Sequence, residues 1–146
     1  MKLVDLNLLL YAVNRDSPHH GAALTWWEDA VNGKEAVGLC WPVILGFLRL
    51  STRRGLFPSP LSVEQAIGVV DGWLSQPRVR VLAPVADLWP SLRTTLELAG
   101  TAGNLTTDAH LAALAVDSGA TLYSTDSDFA RFSPPLKVVN PLATSV

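Results

Sequence analysis

The chain has little cysteine, little charge and no long uninterrupted apolar run. Cys40 is its only cysteine, so an internal disulfide is impossible and a reducing compartment, the cytoplasm, is expected. No cluster of histidine and cysteine accompanies Cys40, which argues against a zinc site. The apolar N-terminal stretch is soon interrupted by Arg15 and Asp16. It is therefore too short for a signal peptide or a membrane span, and no membrane association is expected.

The charge balance does not by itself indicate a protein that binds nucleic acid. Charged residues make up 16% of the chain and the formal net charge is -2. A basic surface is the usual sign of phosphate contacts, but clustered site carboxylates lower the total even where arginines lie elsewhere. The hydrophobic content of 49% excludes a disordered chain. The 146 residues are expected to form one domain, 1–146, with a well-filled interior or a face covered by a partner.

Short apolar segments alternate with amphipathic segments along the chain. The predicted strands are 2–5, 36–40, 79–82, 121–124 and 137–140. The predicted helices are 6–14, 20–32, 42–52, 62–75 with Ser62 and Gln65 as a capping box, 86–98 with a disturbance near Pro90, and a helix capped by Thr106 or Thr107 that ends at 117. This alternation predicts an α/β fold of three layers, α/β/α, around a central parallel sheet of about five short strands.

Three aspartates lie at the edges of apolar segments. Asp5 ends the first strand, Asp126 follows the fourth, and Asp108 lies in the first turn of a helix. In a parallel sheet ligands gather at the carboxyl ends of the strands, so these three carboxylates are expected at one edge. Carboxylates brought together repel one another unless a cation lies between them. The pattern therefore predicts a Mg²⁺ site and metal-assisted hydrolysis of a phosphodiester.

Each aspartate also has a purely structural interpretation. Asp5 could cap the helix that follows, and Asp108 could serve only to favour the positive end of a helix dipole. Asp126 and Asp128 lie in a turn rich in Ser, Thr and Asp, where such residues bond locally to the backbone. No histidine is placed as an obvious general base, which favours metal-activated water over a side-chain nucleophile.

Several motifs together resemble a known family. They are Asp5-Leu6-Asn7 after a short strand, the stretch 103–115 around Asp108, the stretch 124–129 around Asp126, Phe47-Leu48-Arg49, and Asn140-Pro141-Leu142. In this order they resemble a PIN domain, and more narrowly the toxin subunit of bacterial VapBC toxin–antitoxin systems. The resemblance covers essentially the whole chain.

The resemblance implies an endoribonuclease that depends on Mg²⁺, or on Mn²⁺ in its place. It implies a homodimer held silent by a cognate VapB-type antitoxin. The family's metal ligands and catalytic acids carry over to Asp5, Asp108 and Asp126. Asn7 matches a polar residue that helps to orient the first aspartate, and Asp128 is a supporting residue or a fourth acid.

One departure from the family pattern concerns the segment 41–52. The family commonly carries a glutamate there, whereas this segment has no carboxylate and places Ile44 or Gly46 at the expected position. Three aspartates and water then complete the site, or Asp128 compensates, or activity is weakened.

Three functional hypotheses follow. The first is a metal-dependent ribonuclease acting on structured RNA, with Arg49, Arg53 and Arg54 as candidate phosphate contacts, although these arginines also suit a solvated helix end. The second is a weak or inactive module of the same fold that acts by binding antitoxin or RNA. The third, a phosphotransferase with Asp5 as nucleophile, is the weakest, because Asn7 replaces the second aspartate of that pattern.

Overall fold

Five short parallel strands form the centre of the fold in a computed structural model that describes residues 1–84 and 86–143. The strands are β1 (Lys2–Val4), β2 (Val37–Leu39), β3 (Val79–Val81), β4 (Thr121–Tyr123) and β5 (Val138–Val139). Their order across the sheet is β3-β2-β1-β4-β5. In the register Leu3 lies beside Gly38 on one side and Leu122 on the other. The predicted parallel sheet is confirmed.

Helices cover both faces of this sheet. They are α1 (Leu6–Val13), α2 (His20–Asn32), α3 (Trp41–Thr52), α4 (Val63–Leu74), α5 (Trp89–Ala99) and α6 (Thr106–Asp117). Because crossovers between parallel strands are right-handed, the path from β1 to β2 to β3 places α1 to α4 on one face. The return from β3 to β4 places α5 and α6 on the other, where they pack against each other and against the short 3₁₀ segment Ser127–Phe132. The three-layer architecture is therefore confirmed.

The strand order creates a crevice between β1 and β4. The chain leaves β1 toward β2 and leaves β4 toward β5, so the two connections diverge from neighbouring strands. Such a topological switch point opens a gap at the carboxyl ends of the strands. Asp5 immediately follows β1, and Asp126 comes three residues after the end of β4.

The helical layer beside β2 and β3 is held by an aromatic cluster. The Trp73 ring of α4 lies 4.6 Å from the Phe47 ring of α3 and 6.0 Å from the Trp27 ring of α2, measured between centroids. All three side chains are buried. Aromatic contacts of this kind contribute beyond the area they bury, so they hold α2, α3 and α4 together.

Two local predictions on the α5–α6 face were wrong. The predicted helix 86–98 begins later, at Trp89, and Asp87 accepts a hydrogen bond from the Trp89 amide at 3.1 Å. Pro90 lies in the first turn and does not disturb the helix, because an amide there has no intrahelical partner to lose. The helix ends at Ala99 and is capped by Gly100, whose φ of 71° is readily adopted only by glycine.

The start of α6 also differs from the prediction. Thr106 and Thr107 lie inside the helix, after a 3₁₀ turn at Gly103–Leu105. Leu105 occupies the capping position, and the Thr106 hydroxyl donates to the Gly103 carbonyl at 2.8 Å. The 3₁₀ turn thus takes the place of a side-chain cap. By contrast, the capping box of Ser62 and Gln65 is confirmed.

No helix in the described part of the chain is long and apolar enough to cross a membrane.

Candidate metal centre

A cavity of about 210 Å³ opens at the crevice between β1 and β4. Three of its lining residues are the predicted aspartates Asp5, Asp108 and Asp126. The others are Leu6, Asn7, Cys40, Pro42, Val43, Thr107 and Leu111. Carboxylates from three separate segments therefore face one space, as the sequence predicted.

Asp5 is the buried member of the set, with only 8% of its surface exposed. One carboxylate oxygen accepts a hydrogen bond from the Leu6 amide at 2.7 Å, and the other accepts one from the Ser124 hydroxyl at 2.6 Å. Burial raises the pKa of Asp5 above its ordinary value, the two hydrogen bonds oppose that rise, and repulsion from Asp126 adds to it. Asp5 is thus both the N-cap of α1 and a wall of the cavity.

Ser124 connects Asp5 to the loop after β4. Its hydroxyl donates to Asp5 and accepts from the Asp126 amide at 3.0 Å, and the side chain is fully buried. The Asp126 carboxylate in turn accepts from the Asp128 amide at 2.8 Å. Sequence reasoning assigned Ser124 no role, although a hydroxyl at the end of an apolar strand, two residues before Asp126, was a usable signal.

Asp108 lies opposite, in the first turn of α6. Its pKa is raised to about 6, first by desolvation and then by repulsion from Asp5, Asp126 and Asp128. Asp5, Asp126 and Asp128 are therefore close enough to oppose the ionisation of Asp108. A positive helix end lies beside Asp108, but it does not offset this excess of negative charge.

The donor set suits a hard cation. Oxygen ligands are what Mg²⁺ and Mn²⁺ take from proteins, and uncompensated carboxylate charge is what a cation would neutralise. Within residues 1–84 and 86–143, however, no three acidic, histidine or cysteine side chains already stand at metal-binding separation. The chemistry of the residues fits a divalent ion, although in the described part of the chain they do not stand at metal-binding separation.

Helix α3 contributes an apolar wall in place of a carboxylate. Its lining residues are Pro42 and Val43, whereas Ile44 points into the core with 1% of its surface exposed. Gly46 is buried against Leu6. Neither position proposed for the missing glutamate supplies a polar group to the cavity.

Of the remaining predicted residues, one lines the cavity and the others lie outside it. Asn7 lines the cavity from α1, whereas the exposed Asp128 does not. Arg49 and Arg53 lie toward the far end of α3, and at about 1.5 Å per residue the helix runs roughly 15 Å from Pro42 to its last turn. Arg54 lies beyond that end. The three arginines are exposed and are not brought to the cavity.

The fold is that of a PIN domain. The family model described as PIN domain matches residues 2–133, which is most of the chain, and the chain belongs to this family.

Within the family the chain is similar to VapC ribonucleases of Mycobacterium tuberculosis. It is 48% identical over 132 residues to ribonuclease VapC37, with 90% of the chain and 92% of the relative covered. It is 43% identical over 142 residues to ribonuclease VapC33, with 97% and 99% covered. These similarities define it as a PIN-domain protein of the VapC type.

Solved structures share the fold at lower identity. VapBC2 from Rickettsia felis, bound to a DNA fragment from the promoter, has a TM-score of 0.66 at 23% identity, with 95% of this chain and 97% of that chain covered. VapC20 from Mycobacterium tuberculosis, described as a sarcin–ricin loop cleaving toxin, has a TM-score of 0.67 at 22% identity, with 91% and 95% covered.

Proposed function

We propose that the protein is a metal-dependent endoribonuclease toxin that hydrolyses phosphodiester bonds in RNA. The observation that carries the proposal is the convergence of Asp5, Asp108 and Asp126 on one cavity. Their mutual repulsion, expressed in the raised pKa of Asp108, supports a cation as the missing partner. The similarity to VapC ribonucleases supports RNA as the substrate.

Asp5, Asp108 and Asp126 would hold Mg²⁺, or Mn²⁺ in its place, with water in the remaining positions. A bound ion of this kind activates water as a nucleophile and neutralises charge on the phosphoryl group. The chain's own contribution is orientation. Ser124 and the Leu6 amide fix the Asp5 carboxylate, the Asp128 amide fixes Asp126, and Asn7 adds a polar group beside them. Pro42 and Val43 add an apolar wall to the cavity.

The metal site is tested by cleavage of total RNA in the presence of Mg²⁺. Asp5→Asn, Asp108→Asn and Asp126→Asn keep similar shapes and remove the charge, and each is expected to lower cleavage by about a hundredfold or more. Asp71→Asn is the matched control, because Asp71 is exposed on α4, outside the cavity. A chelator should abolish the wild-type reaction.

Two outcomes would contradict this assignment. Cleavage that survives the chelator would exclude the metal mechanism. Full activity of one aspartate variant would remove that residue from the essential set, while equal loss in Asp71→Asn would point to a general folding defect.

The proposed substrate is structured RNA cut at an exposed single-stranded segment, where the backbone and bases are accessible. The description of VapC20 as a toxin that cleaves the sarcin–ricin loop supports this choice. Hairpins with identical stems and loops of different sequence are expected to be cut in the loop, and the fully paired duplex is expected to resist. Equal cleavage of the duplex would contradict the choice of a single-stranded segment as the substrate.

Arg49, Arg53 and Arg54 are the proposed phosphate contacts. Because they lie outside the cavity, they would contact RNA only away from the scissile bond.

The alternative is a weak or inactive module that acts by binding antitoxin or RNA. The absence of a carboxylate from the apolar α3 wall favours it, as does the lack of a preformed three-ligand group in the described chain. It predicts RNA binding without cleavage and no Mg²⁺ uptake by calorimetry. The ribonuclease proposal predicts both cleavage and uptake.

The proposed partners are a cognate VapB-type antitoxin and a second copy of the chain, in the cytoplasm. Five large apolar side chains of the described chain lie more than half exposed and support coverage by a partner: Trp41, Leu45, Val63, Trp89 and Leu98. VapBC assemblies among the structures of the same fold support the antitoxin. Sedimentation of the purified chain, alone and after co-expression with the antitoxin, tests both.

A further inference from the structure

Trp41 is exposed at the rim of the acidic cavity. It is the first residue of α3, and 55% of its surface is exposed. Its chain neighbours Cys40 and Pro42 both line the cavity, and consecutive Cα atoms are about 3.8 Å apart. The indole ring is therefore accessible to solvent immediately beside the space on which the three aspartates converge.

The exposed face of α3 leads from this ring to a cation. The exposed residues of the helix are Trp41, Leu45 and Arg49, which are four positions apart and so form one stripe, the α3 stripe. From Trp41 to Arg49 the stripe is about 12 Å long, at about 1.5 Å per residue. No carboxylate occurs between Glu35 and Glu64 in the sequence, so the stripe has no acidic group of its own.

Charge distinguishes the α3 stripe from the exposed apolar residues of α4. Ile67 has the exposed acids Glu64 and Asp71 one helical turn before and after it, and both would repel a phosphate. The α3 stripe instead ends at Arg49, and Arg53 follows directly after the helix. A cation attracts phosphate, and an aromatic ring offers a face on which a base can stack. The α3 stripe therefore has both groups that bind single-stranded nucleic acid.

Trp89 provides an internal comparison for Trp41. Both are the first residue of a helix, both precede a proline, and they are 58% and 55% exposed. The Ser91 hydroxyl of α5 donates to the carboxylate of Asp117, the last residue of α6. Asp108, which lines the cavity, lies in the first turn of α6, roughly 14 Å from Asp117 along the helix. Trp89 is therefore an equally exposed ring without the acidic cavity beside it.

We propose that RNA leaves the cavity along the α3 stripe, with a base beside the scissile phosphate stacked on Trp41 and a phosphate farther along bound by Arg49. Stacking on a side chain requires an unpaired base, which agrees with a single-stranded cleavage site. Trp41 thus binds and positions the substrate and takes no part in the chemical step. This role rests on the proposed ribonuclease function, for which it names a surface that receives the substrate. It leaves the exposed apolar side chains of α4 and α5 for a protein partner.

The first test is the binding of a short fluorescent single-stranded RNA, followed by anisotropy with a chelator present so that the strand stays intact. Trp41→Ala is expected to raise the dissociation constant about tenfold, as loss of one base stack does. Trp41→Phe keeps an aromatic face and should restore most of the affinity, whereas Trp41→Leu is apolar without such a face and should not. Trp89→Ala is the matched control and should bind RNA as the wild type does.

Two further measurements separate the base from the phosphate. In a cleaved hairpin, an abasic residue beside the cut bond should raise KM for the wild type but not for Trp41→Ala, because the stacking partner is already absent. Arg49→Ala should reduce the slope of log affinity against log salt by about 0.7, the value for one phosphate contact on a single strand. Trp41→Ala should leave this slope unchanged.

Several outcomes would overturn the role of Trp41. A Trp41→Ala variant that binds and cleaves RNA like the wild type would do so and leave the proposed function standing, and so would full restoration by Trp41→Leu. A change in the sedimentation of Trp41→Ala would instead assign the α3 stripe to a second copy of the chain. A wild-type protein that neither binds nor cleaves RNA would overturn the proposed function, and the role of Trp41 with it.

Discussion

The two walls of the acidic cavity treat their carboxylates differently. On the wall formed by the ends of β1 and β4, hydrogen-bond donors from Leu6, Ser124 and Asp128 hold Asp5 and Asp126. On the helical wall Asp108 faces the same space, and its pKa rises to about 6 through desolvation and repulsion. One wall holds its carboxylates with hydrogen bonds, while the other carries a carboxylate whose ionisation is opposed by desolvation and repulsion.

Because of this difference, the effect of a hydrogen-bond donor and the effect of a repulsive charge can be tested separately within one site. Removing a donor from the strand wall should cost stability, because a buried carboxylate loses its partner. Removing the charge from the helical wall should increase stability, because a repulsion disappears. Substitutions in the two walls are therefore expected to change the metal-free protein in opposite directions while both impair the reaction.

The largest effect on stability is expected from Ser124→Ala. The substitution leaves one buried oxygen of Asp5 and the Asp126 amide without their partner, and it should cost about 1–3 kcal/mol of unfolding free energy. Denaturant unfolding without metal measures this cost. Ser75→Ala is the control, since its exposed hydroxyl bonds only to a backbone carbonyl. A cost no greater than that of the control would mean that Ser124 does not support Asp5.

The next effect is the pH dependence of metal binding. Because the pKa of Asp108 is about 6 in the folded protein, protons compete with the cation below that pH. Mg²⁺ affinity should be constant above about pH 7 and should fall by up to about tenfold for each pH unit below the pKa of Asp108. Calorimetric titration across this range measures it. The dependence should weaken in Asp108→Asn, and an unchanged pH profile in that variant would assign the proton to another group.

Asp108→Asn should stabilise the metal-free protein. A carboxyl whose pKa rises from 3.8 to about 6 on folding binds more protons in the folded state, so stability is lost as pH rises through that window. At neutral pH Asp108→Asn is expected to raise the free energy of unfolding by about 1 kcal/mol. This is less than the full pKa shift would give, because Asp108 is partly solvated and water screens the repulsion. Thermal unfolding should show an increase of roughly 3 °C that disappears toward about pH 4. A lower melting temperature at neutral pH would contradict the repulsion.

Sequence patterns predicted the sheet and its helices because β1 and β4 are apolar runs with clear ends. The same patterns placed Asp5, Asp108 and Asp126 at one edge, since strand order and helix starts follow from general rules of parallel sheets. The start of α5 was missed because Pro90 is compatible both with a disturbed helix and with a first turn.

The supporting contacts of the site were less accessible to sequence reasoning. The hydrogen bond from Ser124 to Asp5 joins residues 119 positions apart, and only the register of β1 beside β4 brings them together. The contact of Leu6 with Gly46 similarly depends on how closely α1 approaches α3. Local periodicity carries no information on such distances.

The smallest effect is expected from Asp128→Asn, which tests whether Asp128 belongs to the strand wall through its side chain. Asp128 donates a hydrogen bond to Asp126 from its backbone amide, which the substitution retains. Its side chain is exposed outside the cavity. Loss of its repulsion should lower the pKa of Asp108 slightly and alter Mg²⁺ affinity by roughly twofold or less. Parallel Mg²⁺ titrations of Asp128→Asn and Asp126→Asn measure the difference. A loss in Asp128→Asn as large as that in Asp126→Asn would make Asp128 a fourth ligand, in the place that α3 leaves without a carboxylate.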